Sequence, residues 1–173
     1  MTVNSIYLSQ QIKAMDEGCG IDSDILMQNA AKAILTRLDY VNRCYGKICI
    51  VCGKGNNGGD GYALGCLLLK RGVSVTVIAV SEPTSALAKK YYGEYISKGG
   101  SLEATFDCIS KADTVIDCIF GFSFKGTLEG KYAEAVKIIN ESNAFVVAVD
   151  LPSGILADSD EMPNLCVNAD ITC

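Results

Sequence analysis

The chain has 173 residues, of which 49% are hydrophobic, and it carries a net charge of −5 from 15 basic and 20 acidic residues. This length suits one domain with a sizeable core, and the acidic balance argues against a general nucleic-acid binder, which needs a basic face. The sequence contains no histidine, so every histidine-based triad, dyad or metal site is excluded, and acid–base chemistry must fall to carboxylates, lysine, tyrosine or cysteine.

The first residues lack a basic start followed by an apolar stretch, so we expect no signal peptide. No run of the sequence approaches the roughly 18 apolar residues that a membrane span requires. The nine cysteines lie mostly inside apolar runs, which is typical of buried free thiols in a reducing compartment. We therefore expect a soluble, cytoplasmic protein.

Helices and strands alternate along the chain, after two helices that precede the first strand. Helices are predicted over residues 8–19, 22–37, 61–71, 86–98 and 129–140. Strands are predicted over residues 48–52, 74–80, 102–104, 114–119 and 145–149, with another beginning at 170. The apolar face of the second helix is predicted to contain Ile25, Leu26, Met27, Ala30, Ala33, Ile34 and Leu38. The strands are continuous apolar runs separated by helices, and this predicts a three-layer, Rossmann-like α/β fold, with a mostly parallel sheet, helices on both faces and two extra N-terminal helices.

Cys49 and Cys52 form a C-x-x-C motif, a spacing that in other contexts binds zinc or performs redox chemistry. Here the motif lies within a predicted strand, where residues three apart point to opposite faces. We therefore predict that the two thiols belong to the core on either side of the sheet.

A glycine-rich stretch, VCGKGNNGGDGYAL, spans residues 51–64 between the first strand and a helix. This order presents backbone N–H groups to a phosphate. Residues 53–58 fit the dinucleotide pattern G-x-G-x-x-G, with Glu82 where a ribose contact is expected, whereas no Gly-Lys-Ser/Thr completes a P-loop. Because the two asparagines and Asp60 exceed what a tight turn needs, we interpret the stretch as a ligand-binding loop.

Three segments follow strand ends: residues 53–61, residues 121–127 with further glycines, and residues 150–154. In an open α/β sheet, ligands bind outside the carboxyl ends of the strands. We therefore expect Asp60, Asp117 and Asp150 to lie near one crevice.

Asp117 and Asp150 each allow a structural and a functional interpretation. Asp117 lies in an otherwise apolar strand, and a buried carboxylate needs hydrogen bonds or a cation. It either caps loop amides or binds a hard cation, with oxygens of Asn57 and Ser153 completing the shell. Asp150 follows the strand at 145–149 and either caps the next turn or serves as a general acid/base.

Four motifs then occur in order between residues 26 and 154: ILMQNAAKAI, GKGNNGGDGYALG, IDCIFGFSFKGTLEG and VDLPSG. Together they resemble the NAD(P)HX epimerase family, the YjeF N-terminal domain. The resemblance implies an isomerase that interconverts the R and S epimers of hydrated NADH and NADPH at carbon 6 of the nicotinamide ring. Its functional partner is an ADP- or ATP-dependent dehydratase, which some members carry in the same chain. Homodimerisation through the two N-terminal helices is also expected from the resemblance.

The resemblance also implies roles for individual residues. Asp150 is expected to be the catalytic acid/base, and one potassium ion per subunit is expected at Asn57, Asp117 and Ser153. The implied substrate contacts are Asn56, Asn57, Gly58, Gly59, Asp60, Gly121, Phe122, Ser123, Phe124, Lys125, Gly126, Thr127 and Asp150.

One departure and two alternative functions follow from the same comparison. Family domains run several tens of residues past the DLPSG-like turn, so we expect residues 1–173 to be one domain that lacks the C-terminal strand and helix segment. A non-catalytic YjeF-like scaffold for dimerisation, or for RNA or partner binding, would not need Asn57, Asp60, Asp117 and Asp150. An ordinary dehydrogenase would need a further substrate domain, for which the chain has no length. The resemblance thus favours the enzyme, with neither nucleic acid nor membrane as a partner.

Overall fold

Six parallel strands form the sheet that positions the candidate site, in the order β3-β2-β1-β4-β5-β6. The structure is a computed structural model that describes residues 8–160 and 162–173. The strands are β1 (Lys47–Cys52), β2 (Ser74–Ala79), β3 (Ser101–Glu103), β4 (Thr114–Cys118), β5 (Phe145–Ala148) and β6 (Ile171–Thr172). The helices are α1 (Ser9–Gly18), α2 (Ser23–Tyr40), α3 (Asn56–Lys70), α4 (Ala86–Ser97) and α5 (Gly130–Glu141), with a 3₁₀ turn at Ile109–Lys111.

The strand order confirms the predicted Rossmann-like α/β fold. The chain runs outward from β1 to β3 and then returns to the other side of β1, where β4 pairs with it. The switch point is therefore between β1 and β4, the place where open α/β sheets bind ligands. The start of the chain, residues 1–7, where we expect no signal peptide, lies outside the described residues. No helix of the described chain is long and apolar enough to cross a membrane.

The core has two halves, one on each face of the sheet. Helices α2, α3 and α4 cover one face, and α5 and the 3₁₀ turn cover the other. Cys52 belongs to the first half and Cys49 to the second, which agrees with the prediction that this C-x-x-C pair is split by the sheet. All nine cysteines are free thiols.

The predicted face of α2 is partly wrong. Met27, Ile34 and Leu38 are buried as expected, together with Ala31 and Leu35. Ile25 is 49% exposed, and Ala33 is exposed as well. The helix packs along α3. The face that it buries there therefore includes Ala31 and Leu35 and leaves out Ile25 near the start of the helix.

The start of α3 was also predicted wrongly, since the helix begins at Asn56 instead of residue 61. Its glycines serve close packing. A Cβ on Gly59 would lie 2.6 Å from Cε of Met27, and one on Gly61 would lie 2.7 Å from Sγ of Cys52. Glycine has a low helix propensity, which conceals the helix in the sequence, but here it lets α3 approach both α2 and the sheet. Asp60 therefore projects from a rigid helix and not from a loop.

Candidate active site

The loops after β1 and β4 touch directly. The amide of Gly53 donates to the carbonyl of Cys118 at 3.0 Å, and a Cβ on Gly53 would overlap the carbonyl oxygen of Ile119. The third segment joins them through Asp117, which accepts from the amide of Ser153 at 2.8 Å. The structure thus brings the segments at 53–61, 121–127 and 150–154 to one edge of the sheet.

Asp117 is fully buried and is held by three hydrogen bonds. Its Oδ1 accepts from the Ser153 hydroxyl at 2.6 Å and from the Ile119 amide at 3.1 Å, and its Oδ2 accepts from the Ser153 amide. Burial raises the pKa of this carboxyl to about 6, although the hydrogen bonds oppose the rise. Asp117 therefore has the structural role of capping loop amides, which is one of its two predicted interpretations.

Ser153 extends this network to the second loop, because its hydroxyl oxygen accepts from the amide of Phe120 at 2.9 Å. It is 1% exposed. The pair of Asp117 and Ser153 therefore fixes the start of the 121–127 loop against the turn after β5.

Asn57 is the unusual polar residue of this edge. Its amide oxygen and nitrogen are both buried, and neither has a hydrogen-bond partner. Buried polar atoms without partners are rare and costly, so among the described residues this amide is the polar group of this edge that is available to a ligand. The described residues include no group of three or more histidine, cysteine or acidic residues that could hold a metal ion.

Asp150 follows β5 in a left-handed conformation, with φ of 69°. The amide of Phe122 donates to its Oδ2 at 2.7 Å, and its own amide donates to the carbonyl of Cys173 at 2.8 Å. Desolvation raises the pKa of the carboxyl, the Phe122 bond opposes this, and the charge of Asp16 adds to it. Non-glycine residues rarely adopt this backbone conformation, and where they do it often marks a functional site.

Asp60 shares a cleft of about 430 Å³ with Asp150. Burial, followed by the charge of Asp150, raises the pKa of Asp60 to about 7, and no hydrogen bond from the part of the chain that the structure describes stabilises its charged form. The other lining residues are mostly apolar and come from α2 and the end of the sheet: Ala30, Ala33, Ile34, Arg37, Val149 and Cys173. The volume and the few polar groups are typical of a small-molecule site.

The 121–127 loop has residues of two kinds. Phe122 provides the amide that binds Asp150. The ring of Phe124 packs on that of Phe120 at 4.6 Å between centroids, so this side chain anchors the loop to the core. Ser123, Lys125 and Thr127 are exposed, and among the described groups the charge of Lys125 acts on Asp158. Asn56, at the start of α3, is exposed as well.

Sequence reasoning missed the α2 wall of the cleft. Ala30 and Ala33 were assigned to the apolar face of the second helix, although they line the cleft, and Arg37 and Cys173 received no role. A signal was present, because small alanines on an otherwise bulky apolar helix leave room beside it. The strand order that brings α2 next to β5 is not readable from the local sequence.

A parallel sheet in this order, with a glycine-rich helix start and three acidic residues at its carboxyl edge, defines a Rossmann-like α/β protein with a small-molecule site at the switch point. Residues 23–173 match the family model described as YjeF-related protein N-terminus. The chain belongs to this family.

Relatives of known name agree with this assignment. The chain is 36% identical over 156 residues to the NAD(P)H-hydrate epimerase of Limosilactobacillus reuteri (strain DSM 20016), a match that covers 88% of this chain and 74% of the relative. It is also 36% identical to the NAD(P)H-hydrate epimerase of Limosilactobacillus fermentum, with 99% and 85% covered. A third relative, the bifunctional NAD(P)H-hydrate repair enzyme Nnr of Archaeoglobus fulgidus, is 36% identical over 95% of this chain but only 35% of its own length.

The crystal structure of the yeast protein ynu0, YNL200c, has the same fold. It superposes with a TM-score of 0.84 at 19% identity, covering 98% of this chain and 79% of the yeast chain. At this identity the likeness supports the architecture alone.

Proposed function

We propose that the protein is an NAD(P)H-hydrate epimerase, which interconverts the R and S epimers of hydrated NADH and NADPH. The observation that carries this proposal is the placement of Asp150 in a chain whose relatives are named for that activity. Its carboxylate is held by the Phe122 amide, and the residue lines a cleft whose other lining is mostly apolar. The hydrated nicotinamide ring is uncharged and has apolar ring carbons, so this wall suits them, and the carboxylate is proposed to face the hydroxyl-bearing carbon.

Asp150 is the acid/base of the proposed reaction. Carbon 6 of the hydrate bears a hydroxyl group and is bonded to the ring nitrogen, so it is a hemiaminal whose stereocentre is lost and re-formed by proton transfer and oxygen exchange or ring opening. The raised pKa of Asp150 brings this carboxyl closer to the pH at which a group both gives and takes protons efficiently. The left-handed backbone and the Phe122 amide fix the carboxylate before the substrate binds.

The phosphates of the substrate are assigned to the glycine-rich start of α3. No side chain caps this helix, so the first-turn amides are available to an anion, which the helix dipole also favours. Asn56 and Gly58 are the residues of this turn whose amides would bind it, and the exposed Lys125 adds a positive charge on the neighbouring loop. The predicted contact at Gly59 would not use its amide, which donates to the carbonyl of Gly55 at 3.1 Å. Ser123, Gly126 and Thr127 complete the proposed substrate contacts on that loop.

A potassium ion at Asn57, Asp117 and Ser153 is part of the proposal. All three residues offer oxygen, which hard cations prefer, and the orphaned amide of Asn57 is the observation that supports the fit. A bound cation would favour the ionised form of Asp117, which burial disfavours. The ion would thereby order the loop start that Asp117 and Ser153 hold.

The partners of the proposed enzyme are a dehydratase and a second copy of the chain. The name of the Archaeoglobus relative joins the repair activities in one protein, which supports a functional link between epimerase and dehydratase.

The two N-terminal helices expose large apolar side chains. The exposed fractions are 59% for Leu8, which precedes α1, 52% for Met15 in α1 and 49% for Ile25 in α2. A homodimer through these helices would cover them. Sedimentation velocity of the wild type tests this, and a monomer at all concentrations would contradict it.

The decisive assay follows the R epimer of hydrated NADPH, with excess dehydratase and ATP to convert any S epimer to NADPH. We expect the absorbance of NADPH to return faster than in a blank without the protein, and faster in potassium than in sodium buffer. Asp150→Asn should lower the rate to that of the blank, because asparagine tolerates the left-handed backbone but transfers no proton. The matched control is Asp107→Asn, which alters an exposed carboxylate outside the cleft. A wild-type rate equal to the blank would refute the enzyme and favour a binding domain.

A further inference from the structure

Asp60 is the carboxylate of the cleft whose environment is least explained by the fold. It projects from the second turn of α3, and its position is fixed by neighbouring glycines that pack on α2 and the sheet. Unlike Asp117 and Asp150, it receives no hydrogen bond from the described residues that stabilises its charge. A carboxyl group that is largely removed from water and lacks such a partner keeps its proton up to a higher pH than an exposed one.

The groups around Asp60 support this state. Asp150 faces it from the end of β5, and its charge disfavours a second charge in the same cleft. The thiols of Cys52 and Cys118 lie below it in the sheet, and burial raises the pKa of both well above the usual range, so they remain neutral. Arg37 and Cys173 line the same cleft. Two carboxyls with different environments in one cleft are a common arrangement of an acid and a base.

Epimerisation at one carbon has a matching chemical requirement. Along the oxygen-exchange route, the hydroxyl group leaves from one face of the ring and water adds to the other face, so a proton is given on one face and taken on the other. Two carboxyl groups on opposite sides of the ring can do this in one passage. The cleft offers one carboxyl from α3 and one from the strand end.

We propose that Asp60 is a second catalytic residue, which donates a proton to the departing hydroxyl group while Asp150 accepts one from the water that adds to the opposite face. This inference rests on the proposed epimerase function. The bond between carbon 6 and oxygen breaks, the oxygen leaves as water with the proton of Asp60, and the lone pair of the ring nitrogen forms the C=N bond. Water then adds to carbon 6, the C=N electrons return to nitrogen, and Asp150 takes the proton. The reverse direction exchanges the two roles, and no oxidant or reductant is needed.

The test compares wild type, Asp60→Asn, Asp60→Glu and the control Asp107→Asn with R-hydrated NADPH across pH 5 to 9. We expect the wild-type rate to fall above about pH 7, where Asp60 loses its proton. We expect Asp60→Asn to lower kcat/KM about 100-fold or more, the usual contribution of one acid–base group, and to remove this fall. Asp60→Glu should restore part of the wild-type kcat/KM and also its decrease above about pH 7. Affinity for NADPH, measured by calorimetry, should change less than threefold in Asp60→Asn.

A second measurement follows the oxygen atom. In H₂¹⁸O without dehydratase, wild type should place one ¹⁸O in the hydroxyl group for each epimerisation, as separated epimers show by mass spectrometry. Epimerisation with the original oxygen retained would overturn the proposed step even if Asp60→Asn cannot be folded.

The outcomes separate the two proposals. Wild-type activity together with an Asp60→Asn rate within threefold and an unchanged pH profile refutes the role of Asp60 alone. A loss of rate matched by an equal loss of NADPH affinity assigns Asp60 to binding and likewise overturns it. An inactive wild type refutes the epimerase and this inference together.

Discussion

The amide of Phe122 donates to Oδ2 of Asp150 at 2.7 Å, which links the loop after β4 to the residue after β5. Asp150 reaches this position only by adopting a left-handed backbone, with φ of 69°. Among the described residues, the carboxylate is therefore positioned by main-chain contacts. Substitutions that shift this backbone should alter activity without removing any functional group.

Gly121 gives the sharpest test of that geometry. A Cβ at this position would overlap Oδ2 of Asp150, so Gly121→Ala should push the carboxylate away from the Phe122 amide. We expect kcat/KM in the epimerase assay to fall about 10- to 100-fold, since a displacement of about 1 Å at a reacting group has an effect of that order. The folded structure should remain, as circular dichroism would report.

The matched control is Gly93→Ala in α4. A Cβ there meets nothing within 4 Å, and alanine is the better helix former, so activity should stay at the wild-type level. Equal activity in Gly121→Ala and Gly93→Ala would contradict the placement of Asp150 at the reacting centre.

Ser153→Ala should destabilise the carboxyl edge of the sheet. The change removes the hydroxyl that donates to Asp117 and that accepts from the amide of Phe120. A buried carboxylate and a buried amide then each lose a partner, and we expect the free energy of unfolding to fall by about 2–3 kcal/mol. Urea denaturation measures this. Ser97→Ala, which removes only an exposed bond to the carbonyl of Glu94, should change stability by less than about 0.5 kcal/mol.

Potassium should stabilise the folded protein through Asn57. A ligand that binds only the folded state at ten times its Kd adds about 1.4 kcal/mol to the free energy of unfolding. We expect a rise in Tm when potassium replaces sodium at the same ionic strength, and we expect Asn57→Ala to abolish the difference. Asn143→Ala, at an exposed position beyond α5, is the control and should keep it. Equal Tm values of wild type in the two salts would argue against the ion.

Local pattern was sufficient to predict most of the architecture. The apolar runs at β1, β4 and β5 and the helices between strands made the parallel sheet readable, because burial on both faces leaves a continuous apolar signal. The first turns of α3 could not be predicted from the sequence, because the glycines at 58, 59 and 61 have a low helix propensity. These positions need glycine because a Cβ would overlap neighbouring atoms. The left-handed backbone of Asp150 and the α2 wall of the cleft depend on contacts between distant segments, which no local pattern encodes.

Asp60 and Asp117 should together make the stability of the ligand-free protein fall as the pH rises. Burial raises the pKa of Asp60 from 3.8 to about 7 and that of Asp117 from 3.8 to about 6. Between about pH 4 and pH 7 the folded state therefore binds more protons than the unfolded state, so the free energy of unfolding decreases through this window. The raised pKa of Asp60 accounts for at most about 4 kcal/mol of this decrease in the free energy of unfolding.

Asp60→Asn removes the contribution of Asp60 to this pH dependence, because the amide cannot ionise. The difference between the variant and wild type therefore measures that contribution. In potassium-free buffer, the variant should gain stability relative to wild type as the pH is raised from 5 to 8, with most of the gain complete near pH 7. Urea denaturation at several pH values measures it. Three other carboxyl groups have lowered pKa values, because hydrogen bonds to Lys90, Arg71 and Ser9 favour their ionised form: Asp24, Asp39 and Asp158. Their contribution to stability is lost only at acidic pH, below the range of this measurement. For Asp107→Asn, the free energy of unfolding should depend on pH as it does in wild type. If Asp60→Asn shows the same pH dependence as well, Asp60 is already ionised in the folded protein at pH 5.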